Sequence, residues 1–257
     1  MDAAMTHPDP TTLRAAGADL LLGGRCVGCE RPGRVLCEPC RATLPGPDDV
    51  HVPVPHPPGL APPFTTAPYE GLVRALVLGH KERRLLALRP DLGRLLALAV
   101  HATTAGADDG ATLALVPVPS RRGVVRARGH DATLALVTEA ARLLRAAGCD
   151  VVVAPLLTSR RGVVDQAGLD SAARRANLTG SMTCPARGLR RLGAAHAAVH
   201  VVVCDDVLTT GSTAREAQRA LAAVGLPTLA VATVAATPLR RARTNPRGEV
   251  PSPPPHQ

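Results

Sequence analysis

Aromatic side chains are almost missing from this chain. Its 257 residues include one Phe, one Tyr and no Trp, although 46% of the residues are hydrophobic. A buried core must therefore be built from Leu, Val and Ala. The same scarcity counts against nucleic-acid binding that depends on stacking bases against aromatic rings.

Long apolar runs and an N-terminal targeting pattern are also missing. A membrane-spanning helix needs about 20 consecutive apolar residues, and Asp2, His7 and Asp9 precede any apolar run at the N-terminus. We therefore expect a cytoplasmic protein without a membrane span. The patterns G-x-x-x-x-G-K-[ST] and G-x-G-x-x-G do not occur either, which gives an NTPase or a Rossmann dehydrogenase little support.

Basic residues outnumber acidic ones. Lys and Arg total 30 against 21 Asp and Glu, so the formal charge is +9 and the isoelectric point about 10.1. This balance favours polyanionic partners, either nucleic acid or phosphorylated substrates. The alternative is a solvated arginine-rich surface that reflects a GC-rich genome.

Two C-x-x-C pairs lie close together near the N-terminus. Their four thiolates satisfy the tetrahedral coordination of Zn²⁺, and four protein ligands leave no open position, so the predicted zinc site is structural. Two disulfides or four free thiols are the alternatives, and a cytoplasmic setting disfavours disulfides. The predicted ligands are Cys26, Cys29, Cys37 and Cys40.

Composition divides the chain into four segments. Residues 1–44 hold a tail, with a predicted helix over Thr11–Leu22, and the zinc finger. Residues 45–68 are dense in proline and are predicted as a linker or an extended crossing segment. Residues 69–236 form the main domain, and residues 237–257, rich in Pro and Arg, are predicted as disordered.

Short apolar runs alternate with helical patterns through the main domain. The predicted strands are Leu113–Pro119, Val151–Leu156, Val199–Cys204 and Leu229–Ala235. The predicted helices include His130–Ala147 and Thr213–Val224. This order predicts an α/β fold with a parallel sheet, in which ligands bind at the carboxyl ends of the strands.

One stretch has the pattern of a site for a phosphorylated sugar. The strand ending at Cys204 is followed by two acids, Asp205 and Asp206, suited to accept hydrogen bonds from sugar hydroxyls. Thr213 and Glu216 have the spacing of a capping box, which predicts a helix start at Thr213. The turn before it predicts a phosphate cradle, because helix N-termini attract anions and glycine permits close approach. Its residues are Thr209, Thr210, Gly211, Ser212 and Thr213. An ordinary strand-to-helix turn with Asp and Thr caps is the alternative.

Two further segments follow predicted strands at the same sheet edge. A basic, glycine-containing loop after the first strand carries Arg121 and Arg128 and is suited to hold a pyrophosphate, with a solvated loop as the alternative. A long polar loop, Ser159–Asn177, has the length of an active-site lid.

Together these motifs resemble the ComF family, in particular its ComFC branch of phosphoribosyltransferase-like proteins. The matching features are the paired C-x-x-C, Tyr69 with Lys81, Val116-Pro117-Val118-Pro119, Arg128-Gly129, Gln166 followed by Arg174 and Asn177, and the stretch from Asp205 to Thr213. Where family members usually have Arg-Gly-Phe-Asn, this chain has Arg128-Gly129-His130-Asp131.

The resemblance implies a type I phosphoribosyltransferase-like domain behind a small zinc finger with four cysteine ligands. It implies that Asp205 and Asp206 bind the ribose hydroxyls of phosphoribosyl pyrophosphate (PRPP) and that Thr209–Thr213 binds the 5-phosphate. PRPP would enter with Mg²⁺. The candidates to offset the pyrophosphate charge are Lys81, Arg121 and Arg128. An acid at position 131 would weaken the pyrophosphate contact.

Three functions follow as expectations. The first is phosphoribosyl transfer to an unidentified acceptor during DNA uptake and natural transformation, beside a competence helicase and single-stranded DNA. The second is a non-catalytic module that binds single-stranded DNA through its basic surface. The third is a base-salvage phosphoribosyltransferase, which the zinc finger and the family resemblance disfavour.

Overall fold

The computed structural model describes residues 24–104, 110–120, 123, 125, 126, 129–159 and 180–237. Four predictions lie wholly or largely outside these residues: the helix over Thr11–Leu22, Arg121 and Arg128 of the basic loop, the lid, and the tail beyond residue 237. Among the helices that these ranges contain, none is long and apolar enough to cross a membrane.

Helices and strands alternate through most of the described chain. The helices are α1 (Glu38–Ala42), α2 (Gly71–Lys81), α3 (Arg89–Ala102), α4 (Ala132–Ala146), α5 (Ala186–Ala195) and α6 (Ser212–Ala222). The strands are β1 (Pro63–Pro68), β2 (Thr112–Pro117), β3 (Val151–Val153), β4 (Thr158–Ser159), β5 (Met182–Thr183), β6 (Val199–Leu208) and β7 (Thr228–Ala236). Short 3-10 helices cover Pro47–Asp49 and Leu86–Leu88.

A five-stranded sheet in the order β1-β7-β6-β2-β3 forms the centre of the fold. Every pairing in it is parallel, which confirms the predicted α/β fold with a parallel sheet. β6 is the middle strand, with β7 on one side and β2 on the other. β4 and β5 form a separate antiparallel pair.

The sheet is covered on both faces, as its apolar strands require. Alternate residues of β2 point to opposite sides, with Leu113 and Leu115 in one apolar cluster and Ala114 and Val116 in another. The first cluster contains the helices α2, α3 and α4, and the second contains α5 and α6. The largest fully buried side chains of the core are mostly Leu and Val, including Leu76, Leu92, Leu95, Leu96, Leu136 and Val137. The core is therefore built mainly from Leu, Val and Ala, as predicted, although the imidazole ring of His80 is fully buried as well.

The middle strand is longer than predicted. β6 continues past Cys204 to Leu208, because β7 stays paired with it, Asp205 opposite Thr233 and Leu208 opposite Ala236. Asp205 and Asp206 thus lie within the strand and not after it. β3 is shorter than predicted and ends at Val153. Ala154 still donates its N–H to the Leu115 carbonyl at 2.8 Å, but its own carbonyl accepts the Leu156 N–H at 2.7 Å, so the chain turns away from β2 there.

The proline-rich segment 45–68 is not a linker along its whole length. Residues 63–68 form β1, an edge strand paired with β7, and its prolines stand at its first and last positions, where a strand tolerates them. Upstream, Gln218 of α6 accepts the Ala61 N–H at 2.8 Å and donates to the Gly59 carbonyl at 3.0 Å. The segment is attached to the domain and not free of it.

Candidate active site and cysteine cluster

A cleft of about 470 Å³ lies at the carboxyl edge of the sheet. Its wall combines the end of β6, the residues after β2, the last turn of α2 and the first turns of α4 and α6. The polar residues in this wall include Tyr69, Lys81, Ser120, Thr133, Asp205, Asp206, Thr209 and Thr213. Predicted residues from distant parts of the sequence therefore meet in one cleft.

Asp206 is the more enclosed of the two acids. It is 6% exposed, and its carboxylate forms an ion pair with the Lys81 ammonium at 2.5 Å. Its Oδ1 also accepts the N–H of Val207 at 3.0 Å. The charge of Asp206 is thus balanced inside the protein, and Lys81 is held over the cleft.

Asp205 has a different environment, although it is the neighbouring residue. Its Oδ1 accepts the Asp206 N–H at 2.8 Å. Burial raises the pKa of the Asp205 carboxyl well above its usual value, and the nearby Asp206 charge raises it further, while Lys81 acts in the opposite direction. A second negative charge beside Asp206 is therefore less favourable at Asp205 than it would be in water.

The hydroxyl-rich turn before α6 differs from the predicted capping box. The helix begins at Ser212 behind Gly211, and Glu216 does not reach back to cap it. Instead Glu216 lies on the buried face of α6, where it accepts the Met182 N–H at 2.9 Å and pairs with Arg219 at 2.7 Å. The capping-box prediction is wrong because β5, a partner distant in sequence, takes the Glu216 carboxylate.

Gly211 is a glycine for two reasons. Its φ of 70° lies in the left-handed region, where glycine is favoured. A Cβ at this position would also lie 2.5 Å from Pro57 Cγ and 3.4 Å from Leu60 Cδ2. The missing Cβ thus leaves room for Pro57 and Leu60 of the proline-rich segment. Beside it, the hydroxyls of Thr210 and Ser212 lie 2.9 Å apart.

The predicted pyrophosphate loop is described only in part, since Arg121 and Arg128 lie outside the described residues. Gly129 is described, with φ 75°, and a Cβ on it would lie 2.8 Å from Arg84 Nη2. Arg84 is a non-glycine residue with positive φ, at 57°. The position of the Arg84 side chain beside this loop could not be predicted, because no sequence pattern indicates that an arginine will adopt a positive φ.

The two residues that depart from the ComF pattern have structural roles here. Asp131 is the N-cap of α4, accepting the Leu134 N–H at 3.1 Å and the Ser120 hydroxyl at 2.9 Å. His130 packs edge-on against His80, with ring centroids 5.6 Å apart. Burial, helped by His130 and Arg89, lowers the pKa of His80 to about 4, so its ring is neutral at pH 7.

The four predicted zinc ligands lie together. The sulfur atoms of Cys26, Cys29, Cys37 and Cys40 are all within 4.8 Å of one another. Bonds of about 2.3 Å to a tetrahedral Zn²⁺ separate the sulfurs by about 3.8 Å, so this donor set fits a metal ion. Burial acts to raise the pKa of Cys26, but N–H groups of Cys37, Cys29 and Gly28 outweigh it and lower that pKa to about 6. A thiolate, the form that binds metal, is therefore favoured at Cys26.

No protein-family model matches the sequence, and no curated protein is similar to it. The ComF resemblance therefore depends on motif residues alone. Of these, the four cysteines and the residues around Lys81, Asp205 and Asp206 fall within the described chain. Gln166, Arg174 and Asn177 lie outside it.

Proposed function

We propose that this chain is a ComF-family phosphoribosyltransferase-like protein that binds PRPP or a related phosphorylated ribose. One observation carries the proposal: Lys81, at the end of α2, is paired with Asp206 beside Asp205, at the carboxyl edge of the middle strand. This brings a cation for phosphate and two acceptors for sugar hydroxyls into one cleft. By the same family resemblance, we place the protein in DNA uptake and natural transformation.

Asp205 and Asp206 are assigned to the ribose. A carboxylate accepts stronger hydrogen bonds than a neutral oxygen, and the vicinal hydroxyls of a ribose present two donors side by side. Thr209 and Thr213 also line the cleft, at the start of α6, where the helix dipole favours an anion. We assign the 5-phosphate to this end, with Thr210, Gly211 and Ser212 forming the turn behind it.

Lys81 is assigned to the opposite end of the ligand. Its ammonium would offset the charge that develops on the pyrophosphate as the bond to C1 of the ribose breaks. Arg121 and Arg128 are proposed for the same role from the sequence alone. Mg²⁺ bound with PRPP supplies further positive charge to the pyrophosphate oxygens. The acceptor of the phosphoribosyl group stays open.

Calorimetric titration with PRPP in the presence of Mg²⁺ tests the assignment. The parent should bind, and the double variant Asp205→Asn/Asp206→Asn should lose binding while staying folded and keeping its metal. Asp48→Asn/Asp49→Asn is the matched control, since it neutralises another adjacent pair of acids, in the 3-10 helix far along the chain. A parent that binds no PRPP, or a double variant that binds it as tightly, refutes the proposal.

A second candidate function, binding of single-stranded DNA, is favoured by the surface of α5. This helix turns Leu192 inward and carries three arginines, Arg187, Arg190 and Arg191, with no acidic residue of its own. Arg215 of α6, which packs on the same apolar cluster, is exposed. Phosphates bound by such a surface release counterions, so affinity should fall steeply with salt and depend little on base sequence.

A labelled oligonucleotide distinguishes this candidate from transfer chemistry. The variant Arg187→Gln/Arg190→Gln/Arg191→Gln should weaken DNA binding and reduce its salt dependence, and it should leave PRPP binding unchanged. Arg31→Gln/Arg34→Gln/Arg74→Gln removes the same charge elsewhere and is the control. Equal DNA affinity for all three proteins would exclude α5 as the binding surface.

A further inference from the structure

The cysteine cluster and the acidic cleft lie at opposite ends of one helix. α2 runs over Gly71–Lys81, which is 11 residues, or about 16 Å at 1.5 Å per residue. Its first turn contacts the cysteine segment. Its last residue, Lys81, forms the ion pair with Asp206.

Contact at the first turn is close. Gly28 lies between the ligands Cys26 and Cys29, and a Cβ on it would be 2.7 Å from Leu72 Cδ1 and 3.1 Å from Cys40 Sγ. The Leu72 side chain thus fills the space beside the backbone that carries one pair of thiols. A shift of this backbone must move Leu72 or open a gap next to it.

The cysteine segment shares its core with the main domain. Cys26, 1% exposed, belongs to the same apolar cluster as Val73, Leu76 and Val77 of α2. Leu72, Cys37 and Cys40 pack against that cluster. The metal ligands and the inner face of α2 are therefore neighbours in one packed core.

A second attachment leads from the cluster to α3. Arg41 follows the ligand Cys40 directly, and its guanidinium binds both oxygens of Asp91, at 2.8 and 3.2 Å. Asp91 lies in the first turn of α3 and is 7% exposed. The segment 26–41, which contains the four cysteines, thus contacts both α2 and α3 of the main domain.

We propose that Leu72 is a positioning residue through which metal occupancy of the cysteine cluster sets ligand affinity in the cleft. A bound metal holds the backbone at Gly28 in place, and Gly28 in turn limits where the Leu72 side chain can pack. Because Leu72 and Lys81 belong to the same rigid helix, the position of Leu72 determines the position of Lys81. Without metal, the first turn of α2 loses its support, and the Lys81–Asp206 pair loses its alignment. The ligand part of this inference depends on the proposed function.

Coupling between two sites is reciprocal. If metal strengthens ligand binding, ligand must strengthen metal binding by the same factor. An intact Lys81–Asp206 pair should also favour metal binding, by a factor of its own. Coupling of this kind is typically about 5- to 150-fold. We expect an effect in this range in both directions.

The decisive comparison uses full-length, zinc-loaded Leu72→Ala. All four cysteines remain in it, so it should hold one zinc per chain, yet bind Mg²⁺-PRPP at least about 5-fold more weakly than the parent. Leu143→Ala is the matched control, because Leu143 of α4 is also a partly buried leucine packed on the same cluster. Parent-like affinity in Leu72→Ala, or equal weakening in Leu143→Ala, overturns the proposal.

Hydrogen exchange separates this proposal from the proposed function, since it needs no PRPP. In zinc-loaded Leu72→Ala, and in parent stripped of zinc and freed of chelator, amides near Lys81 and Asp206 should exchange faster than in loaded parent. Zinc release to a chromogenic chelator should be faster in Asp206→Asn. If no form binds PRPP, the proposed function fails while these readouts still decide the coupling. The proposed coupling is overturned if faster amide exchange is confined to residues 24–44 and Asp206→Asn releases zinc at the parent rate.

Discussion

The cysteine cluster and the acidic cleft both bring ionisable groups close together. They differ in what balances the charge of those groups. Four like donors converge within 4.8 Å in the cluster, an arrangement that a single tetrahedral cation completes. In the cleft, Asp206 has Lys81 as its partner, whereas Asp205 is held beside a like charge with a raised pKa.

This difference is the one expected if the cluster is a structural metal site and the cleft binds a ligand. Donors that all point at one centre need nothing but the metal, and metal binding then stabilises the fold. An acid kept in an unfavourable environment costs stability when the cleft is empty, and such perturbed groups cluster at functional sites. Substitutions in the cluster and in the cleft should therefore have different consequences.

The largest effect is expected from Cys26→Ser. Removing a buried thiolate ligand should lower the zinc content from about one per chain to near zero. Because metal binding is coupled to folding, the free energy of unfolding should fall by well over the roughly 1 kcal/mol of an ordinary substitution. Metal analysis and thermal unfolding measure both. Cys184→Ser is the control and should keep the metal. A Cys26→Ser protein with full zinc content would show that Cys26 is not needed for metal binding.

The two acids should respond with opposite signs. Asp206→Asn removes the ion pair with Lys81 and should destabilise the protein by about 1–3 kcal/mol. Asp205→Asn should stabilise the empty protein at pH 7. The folded pKa of Asp205 lies above its usual 3.8, so its contribution to stability is present below that pH and is lost as pH rises through the folded value.

Denaturant unfolding at pH 5 and pH 8 measures this pair of effects. The advantage of Asp205→Asn over the parent should be larger at pH 8. Equal destabilisation by both substitutions would mean that the two carboxylates share one environment.

His80 should make the protein sensitive to mild acid. Its pKa is lowered from 6.5 to about 4. Between these two pH values the unfolded chain binds a proton at His80 and the folded protein does not. The stability that neutral His80 contributes is therefore complete above pH 6.5 and is lost as the pH falls towards 4. His130, Arg89 and Asp206 face this ring. His80→Phe, which keeps a ring of similar shape, should flatten the stability curve over that interval. An unchanged curve would place the acid sensitivity elsewhere.

The smallest effect on stability is expected from Thr213→Ala. Since Thr213 does not form the predicted capping box, its loss should change the free energy of unfolding by less than about 0.5 kcal/mol. Because Thr213 lines the cleft, PRPP binding should weaken nevertheless. A loss near 1 kcal/mol, typical of a missing N-cap, would restore the capping interpretation.

Local patterns predicted much of the fold and part of the candidate site. The apolar run Val199–Cys204 is the core of β6, and the alternation of strands and helices gives a parallel sheet whose carboxyl edge carries the cleft. Errors arose where a distant partner competes with a local rule. Pairing with β7 extends β6 through Asp205 and Asp206, and the Met182 N–H draws Glu216 away from a capping role.

The order of amino acids alone indicates the chemistry available at each site: four thiols in two short pairs, and two acids after a buried apolar run followed by hydroxyls. Residue type and spacing suffice for that, because thiol pairs and strand periods are local properties. Only the folded chain shows that Lys81 pairs with Asp206 and that burial, together with the Asp206 charge, raises the pKa of Asp205. The same holds for Pro57 beside Gly211 and for Leu72 beside Gly28. Each of these joins residues distant in sequence, and burial and Coulomb interactions depend on distances that only the folded chain sets.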